Sequence, residues 1–428
     1  MSKIDTPPGF EDFLPEELNA RNYLFETWRK VAKRYGFVEY ETPIIEFTDL
    51  YRKKSGDEIV SELFSFIDRG NRDLALRPEV TPSLARLASQ NQRNYPKPLK
   101  WFEIGQCFRA ESPQKGRRRE FIQFNNDIVG EASPAADAEL IAMLIDVMRE
   151  FGFSSDEVKI RLSDRKAWDI FLAERELPEE DLPKFLSALD KLERDPEGTE
   201  KKLGELGIAI DDVRAFIADP SAAAELFNPI TDDIASRGLA DYVVVDLSIV
   251  RGLAYYTGAV FELFSLKSKH RAIAGGGRYD QLLAMMSNGK VDLPAVGYAM
   301  GNVVVLDLIR ETAEPLARLE EYLTNQTPAD VYVIVADENQ RAAALSTVQN
   351  LREADISTDF PLTATKFDKQ FKAAEKLGTE LAVIIGSEYP EISIKNLRTR
   401  EETKASSETV VESVRSLLEA PDKDNLIA

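Results

Sequence analysis

One cysteine, Cys107, and one histidine, His270, are all the sequence offers as thiol and imidazole. No internal disulfide can form, and a cytosolic home fits. Zinc sites of the usual kind and Cys/His or Ser/His nucleophilic pairs cannot be assembled, so no protein-held metal is expected. His270, between Lys269 and Arg271, reads as a surface residue. No apolar run reaches the roughly 18 residues that a membrane helix needs, and MSKIDTPPGFEDFLPEE has no signal-peptide pattern. Positive charge is also short. The net charge of −20 argues against a general affinity for nucleic acid, which comes mostly from Lys and Arg neutralising phosphates. A nucleic-acid ligand would need local basic patches. Any chemistry must therefore run on Arg, Glu, Asp, Tyr and Gln, with magnesium carried by a nucleotide.

What is present is a soluble globular composition, 43% hydrophobic and 30% charged, in a 428-residue chain long enough for two or three domains. Its organising stretch is Trp101 to Gly130. Trp101 to Phe108 reads as a strand, Glu111 to Arg118 as a loop, and Arg119 to Val129 as a returning strand. Alternation puts Ile122, Phe124 and Ile128 on one face and Arg119, Gln123, Asn125 and Asp127 on the other, so one face packs and the other floors a polar site. Lys115, Arg117, Arg118 and Arg119 crowd the loop beside Arg109 and Glu111. A solvated basic turn would account for the loop alone. Beside a polar floor, the guanidinium groups suit phosphate esters.

The irregular segment DTPPGFEDFLP precedes a helix from Pro15 to Tyr35 with an apolar side at Leu18, Tyr23, Phe25, Trp28 and Val31. A strand from Phe37 to Thr42 is stopped by Pro43, which marks an edge or an interface. Two strands, Phe64 to Asp68 and Asp73 to Arg77, lead into LRPEVTPSLARLASQ. There Thr81 suits a helix cap and Pro82 the first helical position, with Glu79 at the helix's positive end. Plain capping would need no function. Ala135 to Phe151 is a helix and Val158 to Leu162 a strand. The strand-poor region from about 165 to 235 reads as a helical insertion splitting a sheet domain.

Sheet character returns in DYVVVDLSIVRGLAYYTGAVFE, which holds Arg251, Tyr255 and Tyr256. Strict alternation separates Tyr256 from Arg251 and Tyr255, so a turn or bulge near Gly252 is needed if all three share a pocket. As packing residues with a polar tip the tyrosines would need no ligand. RAIAGGGRYDQLLAMM reads as strand, glycine triplet and helix, a weak nucleotide signal. After a linker, the pattern from Val331 alternates strands and helices as a separate small α/β domain, with Lys366, Lys369, Lys372 and Lys376 about one helix.

Together these segments resemble the class II aminoacyl-tRNA synthetases, and among them the histidyl-tRNA synthetases. FRAESPQKGRRREFIQFNNDIVG is similar to that family's second motif, RGLAYYTGAVFE to its histidine-specific segment, and AGGGRYDQLL with AVGYAMG to the segments that follow. LRPEVTPSLAR matches the amino-acid pocket and YGFVEYETPIIE the dimer motif. The resemblance implies an α/β chain of α+β type. Residues 1–312 would form a catalytic domain with an antiparallel sheet flanked by helices and an insertion at about 165–235. Residues 313–328 would be a linker, and 329–428 an anticodon-binding domain. It also implies a cytoplasmic homodimer that uses ATP with Mg2+, L-histidine and tRNA(His). Carried over by position, Arg109 binds the α-phosphate, and Glu111, Arg117 and Arg119 help hold ATP. Arg251 stabilises charge on the α-phosphate as the carboxylate attacks and contacts histidine. Glu79, Thr81 and Gln123 hold the amino end of histidine, Asp127 and Tyr256 its two imidazole nitrogens, and Tyr255 and Tyr279 wall the pocket. Gln114, Lys115 and Arg118 approach the acceptor stem.

Two positions depart from the family. Ala254 stands for the aspartate of RGLDYY. Val304 stands for the third-motif arginine that sandwiches adenine and holds the nucleotide's tail. Losing such a contact costs on the order of a few kcal/mol. Arg278 is a candidate substitute. The same departures keep open a non-catalytic, histidine-sensing paralogue such as an ATP phosphoribosyltransferase regulatory subunit. A ligase serving something other than tRNA is a third reading, which leaves the C-terminal domain without a role.

Overall fold

Pro15 sits at the first helical position of α1 (Pro15–Arg34), Glu16 and Glu17 lie in its first turn and Lys33 and Arg34 in its last, an order that complements the helix dipole. The buried residues Ala20, Tyr23, Leu24, Thr27, Trp28, Val31 and Ala32 follow the 3–4 spacing of one helix face. That face lies on a sheet. The computed structural model describes residues 4–55, 62–112, 118–173, 175, 178, 181–189, 191–192, 195–249, 256–267 and 272–419. The chain divides into two compact units, Met1–Glu321 and Tyr322–Ala428.

In the first unit α1 is followed by β1 (Val38–Glu39), β2 (Ile45–Phe47), α2 (Thr48–Ser55), β3 (Ser65–Ile67), β4 (Asp73–Leu76), α3 (Thr81–Asn91), β5 (Leu99–Phe108), β6 (Glu120–Val129), α4 (Pro134–Phe151) and β7 (Val158–Asp164). Five helices come next: α5 (Arg165–Ala173), α6 (Leu182–Leu189), α7 (Pro196–Glu205), α8 (Ile210–Ala218) and α9 (Ala224–Ser236). The unit continues with β8 (Val243–Val245), β9 (Ala259–Ser265), β10 (Ala274–Arg278), α10 (Leu282–Met286), β11 (Ala295–Gly301) and α11 (Asn302–Glu311). Helix α12 (Ala313–Thr324) follows, where the sequence suggested a helix end and linker.

Eight strands form the main sheet in the order β1-β5-β6-β11-β10-β9-β7-β8. The six inner strands are antiparallel, and the short outer strands β1 and β8 pair in parallel. Helices α1 and α4 cover one face. Trp28 stacks flat on Phe124 of β6, with ring centroids 5.1 Å apart, and Tyr23 packs on Phe151. On the opposite face Leu84, Ala85 and Ala88 of α3 and Leu282 and Leu283 of α10 pack with Trp101 and Val129, closing one end of that surface. A second sheet of three strands, β2-β4-β3, stands beside it. Strand β2 and helix α2 lacked a distinct sequence signal, being short and followed at once by polar residues.

The glycine triplet corrects an expectation. Gly275, Gly276 and Gly277 lie inside β10, between β9 and β11, and not at a strand-to-helix turn. A Cβ on Gly276 would come within 2.0 Å of the Gly297 carbonyl oxygen, and one on Gly277 within 2.6 Å of the Ala259 carbonyl oxygen. The glycines serve close packing between backbones rather than a phosphate loop.

The second unit holds β12 (Val331–Val335), α13 (Arg341–Glu353), β13 (Thr358–Asp359), α14 (Phe367–Leu377), β14 (Leu381–Ile385), β15 (Glu391–Asn396), β16 (Glu402–Ser406) and α15 (Val410–Leu418). Its sheet order is β13-β12-β14-β15-β16, with an apolar core of Val331, Val333, Leu351, Val383, Ile392 and Val414. Strand β16, ETKAS, carries too much charge to be recognised from its sequence.

Asp164 ends β7 almost fully buried, and its Oδ1 accepts the Lys166 N–H at 2.8 Å. Burial pushes its carboxyl up to about 6, against the pull of that hydrogen bond and of the Lys166 charge. The folded state therefore holds the proton from about pH 4 to about pH 6 while the unfolded chain releases it, so stability falls as pH rises through this window. Asp164→Asn keeps the acceptor oxygen and removes the charge. It should raise Tm at pH 7 by an amount equivalent to on the order of 1–3 kcal/mol and abolish the gain that the parent shows between pH 7 and pH 5.

Candidate active site

The antiparallel register of β5 and β6 pairs Trp101 with Asp127, Gly105 with Gln123 and Phe108 with Glu120. Because Phe124 is committed to the helix-covered face, Phe121, Gln123, Asn125 and Asp127 point to the other. Asn125 and Asp127 are both 2% exposed. The Tyr279 hydroxyl donates to Asp127 Oδ1. Gly297 of β11 lies opposite Asp127, and a Cβ there would overlap the carboxylate, so glycine makes the room that Asp127 occupies.

Between β4 and α3 the chain crosses toward this floor through Pro78, Glu79 and Val80. Here the capping expectation is corrected. Thr81 is itself the first helical residue, Val80 is the cap, and no side chain caps the helix. Pro82 at the second position lacks an N–H that would otherwise need a partner, which leaves the Thr81 side chain available to the cavity beside it.

Two cavities share this floor. The smaller, of about 90 Å³, is lined by Glu79, Thr81, Arg109, Gln123, Asn125, Tyr256 and Tyr279 among others. The larger, of about 340 Å³, is lined by Arg109, Glu111, Arg118, Phe121, Asn302, Val303 and Val304, with Gly275 and Ala299 at its base. Arg109, Gln123, Gly275 and Ala299 belong to both, so the two compartments adjoin along these four residues, of which Arg109 carries the charge. That guanidinium sits 5.1 Å from the Phe121 ring centre, and its Nε donates to the Pro78 carbonyl at 3.3 Å. Ion-binding side chains, a stacking ring and a volume in the range of ligand sites come together here.

The remaining candidates divide. Arg119 donates from Nε to the Glu111 carbonyl at 2.9 Å and from Nη1 to the Pro8 carbonyl at 3.4 Å, and it is not among the lining residues of either cavity. Gln114, Lys115, Arg117, Arg251, Ala254, Tyr255 and His270 lie outside the described residues. Among the described residues, no group of three or more His, Cys, Asp or Glu side chains is arranged to hold a metal. Cys107 is fully buried and burial pushes its thiol up to about 12, so it stays neutral. Asn125, read from the sequence as part of the polar floor, belongs to the site, and so does Phe121, which was given no role. Their parity with Gln123 was the available signal. Asn302, whose Oδ1 accepts the Ile122 N–H at 2.9 Å, had none.

Arg278 cannot stand in for the third-motif arginine. It is 7% exposed, and its nitrogens donate to Asp137, to Asp280 and to the carbonyls of Glu131 and Ser133. Burial works against its charge, and Asp137 and Asp280 more than restore it. The guanidinium anchors β10 to the start of α4.

A family model for histidyl-tRNA synthetase matches residues 9–303, and one for an anticodon binding domain matches residues 330–417. The histidine–tRNA ligase of Opitutus terrae is 38% identical over 440 aligned residues, covering 97% of this chain and 99% of that protein. The chain belongs to the histidyl-tRNA synthetase family. The chloroplastic/mitochondrial histidine–tRNA ligase of Arabidopsis thaliana is 35% identical, covering 93% of this chain and 84% of its own length. A crystal structure of histidyl-tRNA synthetase from Nostoc sp. shares the fold at a TM-score of 0.75 and 24% identity, covering 97% of this chain and 100% of that one. Within this histidyl-tRNA synthetase-family chain, the cavity wall contributed by Val303 and Val304 carries no charge.

Replacing Arg278 with Met would strand the Asp137 carboxylate in the interior. We expect a loss of about 3–5 kcal/mol in urea unfolding, largely recovered in the double variant Arg278→Met/Asp137→Leu. An unchanged unfolding midpoint for the single variant would contradict the anchoring role.

Proposed function

We propose that the chain activates L-histidine with ATP to histidyl-adenylate and passes the histidine to the 3′ end of tRNA(His). The observation that carries this reading is that the two cavities adjoin along residues that include Arg109. Attack of a carboxylate on an α-phosphate needs the two groups side by side with a fixed cation between them, and no proton transfer. A single histidine in the sequence is then no handicap.

In this reading the smaller cavity takes histidine. Glu79, Thr81 and Gln123 bind its amino end, and Tyr256 and Asp127 address opposite ring nitrogens; Asp127 lies behind the lining and bonds to Tyr279, which does line the cavity and walls the pocket with Tyr255. The larger cavity takes ATP, with Arg109 on the α-phosphate, Phe121 against the base, Glu111 and Arg117 supporting the nucleotide, and Arg119 bracing the Glu111 backbone from behind rather than touching the ligand. Arg251 completes the charge stabilisation. Mg2+ arrives as MgATP. A lone carboxylate such as Glu111 fits an ion held chiefly by phosphates and water. Residues 329–428 would bind the anticodon, and residues 1–312 would catalyse, with 313–328 joining them. Gln114 and Lys115 would face the acceptor stem.

A cytoplasmic homodimer completes the proposal. Val38, Ile45, Phe47 and Ile67 leave large apolar side chains exposed on β1, β2 and β3, Val38 and Ile67 at 62% each, which is the kind of surface a partner protomer covers. No helix among the described residues is long and apolar enough to cross a membrane.

Histidine-dependent exchange of labelled pyrophosphate into ATP tests the activation step. Arg251→Ala should cut it by roughly 10² or more while leaving the fold intact, and near-normal exchange in that variant would sink the mechanism. Absence of exchange from a folded parent that still binds histidine would favour the sensor reading. Light scattering at micromolar concentration should give the mass of a dimer, and a monomer would count against the interface.

A further inference from the structure

We infer that Arg118 is a nucleotide-binding residue that holds the triphosphate end of ATP, rather than a contact for the tRNA acceptor stem. The inference rests on the nucleotide reading of the larger cavity. Among the described residues, Arg109 and Arg118 are the cations lining that cavity. Arg109 also lines the smaller cavity, which fixes it at the end where the two compartments meet and thus at the first phosphate. A triphosphate spreads its charge beyond that point, and recognition of its outer phosphates calls for a second fork of donors.

Among the described residues, two other arginines near the cavity are committed elsewhere. Arg119 is turned toward Glu111 and Pro8 backbone oxygens, and Arg278 is spent on Asp137 and Asp280. Among the described residues, the lining from Asn302 to Val304 adds no cation, and the Asn302 amide oxygen is taken by the Ile122 N–H. Arg118 alone of these lines the larger cavity and not the smaller.

Its own partner is exchangeable. Arg118 pairs with Glu11, and the two side chains are 39% and 40% exposed. Such half-exposed pairs are weak, so a phosphate that accepts two hydrogen bonds can displace the carboxylate. The backbone beneath is firmly placed: Arg119 N–H and Glu120 N–H both donate to the Gly9 carbonyl, at 3.0 and 3.3 Å. Gly9 has φ +88°, and a Cβ there would come within 2.8 Å of the Arg119 side chain. Phe10 packs on Phe64 and Phe108, with ring centres 5.9 and 6.5 Å away. Residues 8 to 11 thus hold the base of the loop while leaving the Arg118 head able to change partner.

Calorimetric titration of the full chain with ATP and, separately, with AMP tests the assignment without histidine or tRNA. Arg118→Ala and the size-matched Arg118→Gln should both fold, since the side chain is well exposed. Each should weaken ATP by about tenfold and AMP by less than about twofold. Unchanged ATP affinity, or equal losses for ATP and AMP, would overturn the inference. A parent that binds no ATP would overturn it together with the nucleotide reading of the cavity. A parent that binds ATP with the expected dependence on Arg118 but shows no histidine-dependent pyrophosphate exchange would leave this inference standing and remove only the ligase reading.

Discussion

The buried pair between Arg77 and Glu103 is the constraint on which the site depends. Arg77 Nη1 lies 2.5 Å from Glu103 Oε1, with the two side chains 3% and 2% exposed. The same guanidinium donates to the Thr42 hydroxyl at 2.8 Å, the Thr42 carbonyl at 3.1 Å and the Gln106 carbonyl at 2.7 Å, and Thr42 in turn donates to Glu103. Burial pushes the Glu103 carboxyl up, and Arg77 and Thr42 oppose that by favouring the charged form. Two charges out of water are tolerable only when so fully bonded. This cluster ties the three-stranded sheet, the segment after β1 and strand β5 into one body. Residue 77 is also where the chain leaves β4 for Glu79 and Thr81, so their position over the floor is inherited from it. Gly105 belongs to the same arrangement, because a Cβ there would meet both Arg77 and Val80 below 3 Å.

From that frame the two faces of β6 take different duties. Trp28 and Phe124 fill the helix-covered side, and Gln123, Asn125 and Asp127 are presented on the other. The polar groups are held by a rigid strand rather than a loop, which suits the proposed reaction, since fixed donors need no reorganisation when charge moves onto the α-phosphate. Glycine at 276, 277 and 297 lets neighbouring strands and the Asp127 side chain approach more closely than any other residue would permit. The floor is therefore shaped by absent side chains as much as by present ones.

Charge distribution follows the same logic at larger scale. In a chain of net charge −20, Arg109 and Arg118 line the larger cavity, and several other arginines are neutralised pairwise, as Arg278 with Asp137, Arg86 with Glu46 and Arg237 with Glu139. Which arginine is structural and which faces a ligand depends on partners far away in sequence: Asp137 is 141 residues from Arg278.

The sequence by itself determined the hairpin from Trp101 to Val129 and the helices beginning at Pro15 and near Ala135. It also determined which residues of β6 share the polar face, because strand and helix periods depend only on local backbone geometry. It carried the family as well, through the spacing of short motifs. Only the tertiary structure decided that Thr81 begins its helix instead of capping it, that the glycine triplet is a packed strand, that Arg278 is an anchor, and that Arg118 rather than Arg119 lines the larger cavity. Each of these depends on what lies opposite across the sheet or on a distant carboxylate. A residue's neighbours in space, unlike its periodicity, are fixed only when separate segments have packed.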